Sequence, residues 1–147
     1  MDLIQRILTT ILELHPIHPM MVHFPIALTG AGALFILLAL WKKSPALEQA
    51  AFANIVLAAF GTVAAGFTGM IDNLNTYDGA APNAMWKMTL AFLLLLITAG
   101  TSLARWRNPN LFQSRAKGWY VAAYLVSFAL AITLAFLGGI ILYGFSE

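Results

Sequence analysis

The chain has 147 residues, of which 61% are hydrophobic and 10% charged, against roughly 25% charged residues in a soluble domain. That balance places it in a membrane, and four spans of about 20 residues would already use more than half of its length, so no separate soluble catalytic domain fits beside them. There are no cysteines, which removes disulfides, thiolate metal sites, iron–sulfur clusters and covalently attached c-type haem as options within the chain.

The first expected element covers residues 2–14. Leu3, Ile4, Ile7, Leu8, Ile11, Leu12 and Leu14 recur at helical spacing, with Asp2, Gln5, Arg6, Thr9, Thr10 and Glu13 opposite. This is the pattern of an amphipathic helix that lies in the membrane interface or packs on a partner subunit. Four apolar runs follow, at about residues 20–41, 50–71, 85–103 and 119–143, each long enough to cross the hydrocarbon. The expected fold is all-α: one membrane domain over residues 1–147, an integral four-helix bundle with an N-terminal interfacial helix. The first run reads as a retained span, because no basic n-region precedes it and no small-residue cleavage site follows.

Charge orients the spans. Four crossings put Lys42 and Lys43 on the same side as Arg105, Arg107, Arg115 and Lys117, which is six of the eight basic residues. The other side receives Arg6, Lys87 and the acids Asp2, Glu13, Asp72, Asp78 and Glu147. By the positive-inside rule, both termini face away from the cytoplasm of a bacterial inner membrane. The outer end then collects His18 and His23 from the first span and Gly66, Gly69, Asp72 and Asn73 from the second. The third span adds Met85, Trp86 and Met88, and the fourth adds Gly138, Gly139, Tyr143 and Gly144. Glycines at such a level allow close helix approach or leave room for a flat ligand.

Residues 18–28 read HPMMVHFPIAL. Pro25 deprives the Met21 carbonyl of its helical donor and disfavours the α conformation at Phe24, so a kink or a helix start is expected there. Only 17 residues separate the start of the run at Pro25 from its end at Trp41, both included, so the helix is expected to begin earlier and to enclose His23 as the buried histidine. An imidazole there either caps a freed backbone carbonyl or serves as a ligand or proton-transfer group. His15 stands nearer to water, at an interfacial turn.

The run HPMMVHFPIAL resembles the HPxxVHFPIAL signature of domain of unknown function 2231, a bacterial family of small membrane proteins. TGMIDN at residues 68–73 is similar to the family's Gly-x-x-Asp at the end of its second span, and LGGIILYG at residues 137–144 to its Gly-Gly motif. The resemblance extends from His18 to near the C-terminus. It implies a setting of electron transfer outside the cytoplasm, since larger relatives look to join the same module to cytochrome c-type domains. It also implies a histidine near the start of the third span. This chain departs there, reading NAMWKM at residues 83–88.

Several functions fit these residues. A b-type haem near the outer face would take His23 as axial ligand, with Met70, Met85 or Met88 as the second, because no other span supplies a histidine. His18 and His23 are five residues apart, about 140° around a helix, and cannot easily clamp one haem together. Quinone chemistry would use His23 and Asp72 as proton acceptors beside Phe67, Trp86 or Tyr143. A metal held by His23 and His18, with His15, has no thiolate or acid at fixed spacing to define its geometry. The alternative is an accessory subunit, or a homo-oligomer, with no cofactor of its own, packing through small residues such as Ala58, Gly61, Ala65 and Gly69. Nothing resembles a covalent nucleophile site, a phosphate-binding loop or a nucleic-acid surface, and the basic loop from Arg105 to Lys117 reads as a topology signal in contact with anionic membrane lipid.

Overall fold

A computed structural model describes residues 3–4 and 17–143. Its helices are α1 (Ile17–Lys42), α2 (Pro45–Tyr77), α3 (Ala84–Arg107) and α4 (Lys117–Tyr143), with a short 3-10 turn at Leu111–Gln113 between the last two. All four are long and apolar enough to cross a membrane, so the fold is the expected all-α membrane bundle. Apart from residues 3–4, the expected helix over residues 2–14 lies outside the described residues, as do His15, Gly144 and the side chain of Tyr143. Consecutive helices run antiparallel. α1 packs on α2 and α4, and α3 packs on the same two, with the α1–α2 contact the most extensive.

Local chemistry sets the helix ends. α1 begins at Ile17 and continues through Pro25, as the shortness of the run after that proline required. Ser44 opens α2, its hydroxyl accepting the Leu47 N–H at 3.4 Å, with Pro45 in the first helical position, where a missing N–H costs nothing. The exit from α2 turns through Asp78 and Gly79, both left-handed at φ 50° and 79°. Asn73 holds that turn: its backbone carbonyl accepts the Gly79 N–H, and its side-chain oxygen accepts the Ala81 N–H at 3.0 Å.

The buried face of α1 is Pro25, Thr29, Gly32, Ala33, Ile36 and Ala39, spaced three and four residues apart as one stripe of a helix. Glycine admits the bulky members of this seam. A Cβ on Gly61 would stand 3.3 Å from both Phe24 Cβ and Pro25 Cδ, and one on Gly32 would stand 3.3 Å from the Tyr124 ring. A Cβ on Gly66 or Gly138 would meet nothing within 4 Å. Those two glycines therefore mark no helix contact.

Packing is uneven along the bundle. Ile36, Ala51, Ile55, Tyr120, Val121 and Tyr124 form the main apolar cluster, with Phe35, Leu40, Phe52, Leu111 and Phe112 against it. All lie toward the basic end. Buried hydroxyls occupy the middle, where Thr29, Thr62 and Thr98 each donate to the carbonyl four residues earlier, at 2.6, 2.8 and 2.8 Å. Toward the histidine end no described residue is buried before Pro25 in α1, after Ala65 in α2, before Leu94 in α3 or after Ala131 in α4. Gly61→Val should lower stability by about 1–3 kcal/mol through overpacking against the rigid proline ring, whereas Gly66→Ala and Gly138→Ala should be neutral or slightly stabilising. Thermal unfolding of the purified protein in detergent reads both.

Candidate functional site

The histidine end brings His18 together with Thr68, Gly69 and Asp72. The His18 ring lies on the backbone of Gly69, where a Cβ would come within 2.7 Å of Cε1. Its Nδ1 is 3.3 Å from the Thr68 hydroxyl. That hydroxyl also lies 3.0 Å from the Ala64 carbonyl, to which it can donate while accepting from the Nδ1–H tautomer of His18. Asp72 accepts from the Thr76 hydroxyl at 3.1 Å, and both Asp72 and Lys87 lie within electrostatic range of His18.

His23 is not the buried histidine; it projects from the outside of the bundle, and His18 is the half-buried one. Helical phase explains the reversal. Pro25 sits on the buried face, and a residue seven positions earlier returns to within about 20° of it, whereas one two positions earlier lies about 160° away. The Nδ1–H of His23 donates to the Pro19 carbonyl, four residues back. The ring thus bonds the Pro19 carbonyl and not the Met21 carbonyl that Pro25 leaves without its helical donor, and its Nε2 is left as the free nitrogen.

Other expected lining residues do not converge. Met85 and Trp86 are 81% and 69% exposed, and Met70, Met88 and Phe67 are also exposed, so none of them faces His23 across an enclosed slot inside the chain. Gly138 is half-buried with open space at its Cβ position, and Gly139 is likewise half-buried on α4. His18 and His23 turn to different faces of α1. Among the described residues no three His, Cys, Asp or Glu side chains gather as a metal-binding group.

The most highly connected polar cluster lies at the other end of the bundle. Glu48, in the first turns of α2, is 4% exposed and takes a two-pronged bond from Arg105 of α3, Nε to Oε1 at 2.7 Å and Nη2 to Oε2 at 2.9 Å. The Tyr120 hydroxyl of α4 donates to Glu48 Oε1 at 2.8 Å and stands 2.9 Å from the Tyr124 hydroxyl. With its proton given to Glu48, Tyr120 accepts from Tyr124. The guanidinium also stacks on Phe52, 5.4 Å from the ring centre, and the two tyrosine rings meet edge to face at 5.2 Å. Sequence reasoning missed this cluster, because Glu48 and Arg105 fall just outside the apolar runs. Two signals were available: Glu48 is the one acidic residue on the basic side, and Tyr120 and Tyr124 share a helix face.

A family model described as predicted membrane protein (DUF2231) matches residues 14–146. No curated protein and no solved structure matches the chain.

Removing one partner of the Glu48–Arg105 pair leaves a charge buried alone. Glu48→Met and Arg105→Met should each cost about 3–5 kcal/mol, while the two together should recover most of the loss. A double-mutant cycle on thermal stability reads the coupling.

Proposed function

As a member of the DUF2231 family of predicted membrane proteins, the chain is an integral membrane protein, and we propose that it is a module auxiliary to electron transfer at the extracytoplasmic face. His23 presents a ligand nitrogen to a b-type haem held between this chain and another. One observation carries the reading: His23 is exposed on the bundle, with Nδ1–H committed to the Pro19 carbonyl. A backbone carbonyl on the far nitrogen is the support that ligating histidines commonly have, since it fixes the ring and raises the basicity of Nε2. Because Met70, Met85 and Met88 point outward from the bundle, the second axial ligand and the rest of the pocket belong to a partner subunit or a second copy. The same nitrogen would accept the hydroxyl of a quinol, which is the alternative occupant. The implied link of larger relatives to cytochrome c-type domains supports the electron-transfer setting.

A second reading, an accessory subunit without a cofactor of its own, is favoured by the outer half of α3. Met85, Trp86, Met88 and Phe92 are all exposed there, a surface suited to lipid or to another membrane subunit.

The assembly purified gently from native membranes should show a Soret band and a pyridine haemochrome. His23→Ala should abolish both, and His18→Ala should retain them. An intact assembly with no haem signal, whose quinol-dependent activity is unmoved by His23→Ala, overturns the cofactor reading and leaves the accessory subunit. For topology, a reporter active only outside the cytoplasm should work when fused after Glu147 and fail when fused after Pro109.

A further inference from the structure

A cavity of about 290 Å³ opens at the basic end, where all four helices and the α3–α4 loop contribute walls. Lys43, Glu48, Gln49, Arg105, Gln113 and Lys117 supply its polar lining, and Leu40 and Phe112 are among its apolar walls. The volume is near the lower bound of ligand pockets, roughly 300–1,000 Å³, so it suits a small group.

Charge defines what that group is. Three cations face the cavity against one carboxylate, and Glu48 is already bound by Arg105 and Tyr120. Arg105 uses one N–H each of Nε and Nη2 on Glu48, which leaves the remaining guanidinium donors for something else. Lys43 and Lys117 make no ion pair among the described residues. The first turn of α2 opens on the same cavity at Pro45, adding the positive end of a long helix dipole. The cavity thus combines surplus positive charge, free N–H donors and partly apolar walls.

We infer that this cavity binds a phosphate-type oxyanion, either free or as the headgroup of an anionic phospholipid, with Lys43 and Lys117 as the residues that select the charge. Glu48 holds the Arg105 side chain in place at the cavity wall. The site is independent of His23 and of any cofactor at the histidine end.

The full chain in uncharged detergent at low ionic strength is titrated with inorganic phosphate and, separately, with phosphatidylglycerol in mixed micelles. Chloride at matched ionic strength and phosphatidylcholine serve as controls, and the thermal midpoint is followed because a ligand of the folded state raises it. At least one of the two ligands should raise the midpoint beyond its control. A response to phosphate alone identifies a free anion, and a response to phosphatidylglycerol identifies the lipid headgroup. Lys43→Gln with Lys117→Gln, both exposed and outside the core, should weaken apparent binding about 25-fold, from about a fivefold factor for each lysine near a membrane surface. Each single replacement should lose about fivefold on the same basis. Lys42→Gln with Arg107→Gln, at the same end but not lining the cavity, should leave binding unchanged. The inference fails if neither ligand exceeds its control, if replacing Lys43 and Lys117 has no effect, or if the Lys42 and Arg107 replacements lose as much.

Discussion

The rotation of α1 about its own axis depends on Pro25, and much of the molecule follows from that rotation. The proline ring is buried and seated against Gly61 of α2, where no side chain intervenes. From that anchor the stripe continues through Thr29, Gly32 and Ile36 into the core shared with α2 and α4. In the other direction the same phase turns His18 onto Gly69 and turns His23 away from the bundle. One proline–glycine contact therefore couples core packing to the placement of both histidines. The two rings are left in opposite situations, one settled on a helix backbone and one presented outward.

The two ends of the bundle obey different physical demands. At the basic end a carboxylate is removed from water, which is tolerable only with good pairing and further hydrogen bonds. Arg105 and Tyr120 provide them, and Tyr124 and Phe112 close around the phenol of Tyr120. This cluster ties α2, α3 and α4 to one another beside the main apolar core. Among the described residues the histidine end has no comparable lock, and the share of buried side chains falls away there. Local openings require the least free energy where buried contacts are few.

Much of the architecture was legible in the sequence because it rests on long-wavelength features. Runs of about 20 apolar residues identify helices that satisfy their own backbone groups in lipid, and the alternation of four such runs gathers the histidines, Gly69 and Asp72 at one level. The facing of individual side chains was not legible in the same way. His23 and His18 are both plausible buried residues until a neighbour selects a face of α1, and Met85 and Trp86 read equally well as slot lining or as outer surface. The Glu48–Arg105 pair joins residues 57 positions apart, and nothing local to either one announces the other.

The sequence by itself determined the number of crossings, the gathering of unusual residues at one end and the concentration of basic residues at the other, because hydropathy and charge act on whole segments. Only the tertiary structure decided that His18 turns inward and His23 outward, that Gly61 and Gly69 are contact sites while Gly66 and Gly138 are not, and that a buried ionic cluster joins α2, α3 and α4 at the basic end. Those outcomes depend on helix rotation and register, which are settled by the fit of particular atoms on neighbouring helices. Such fits have no signature within a single segment of chain.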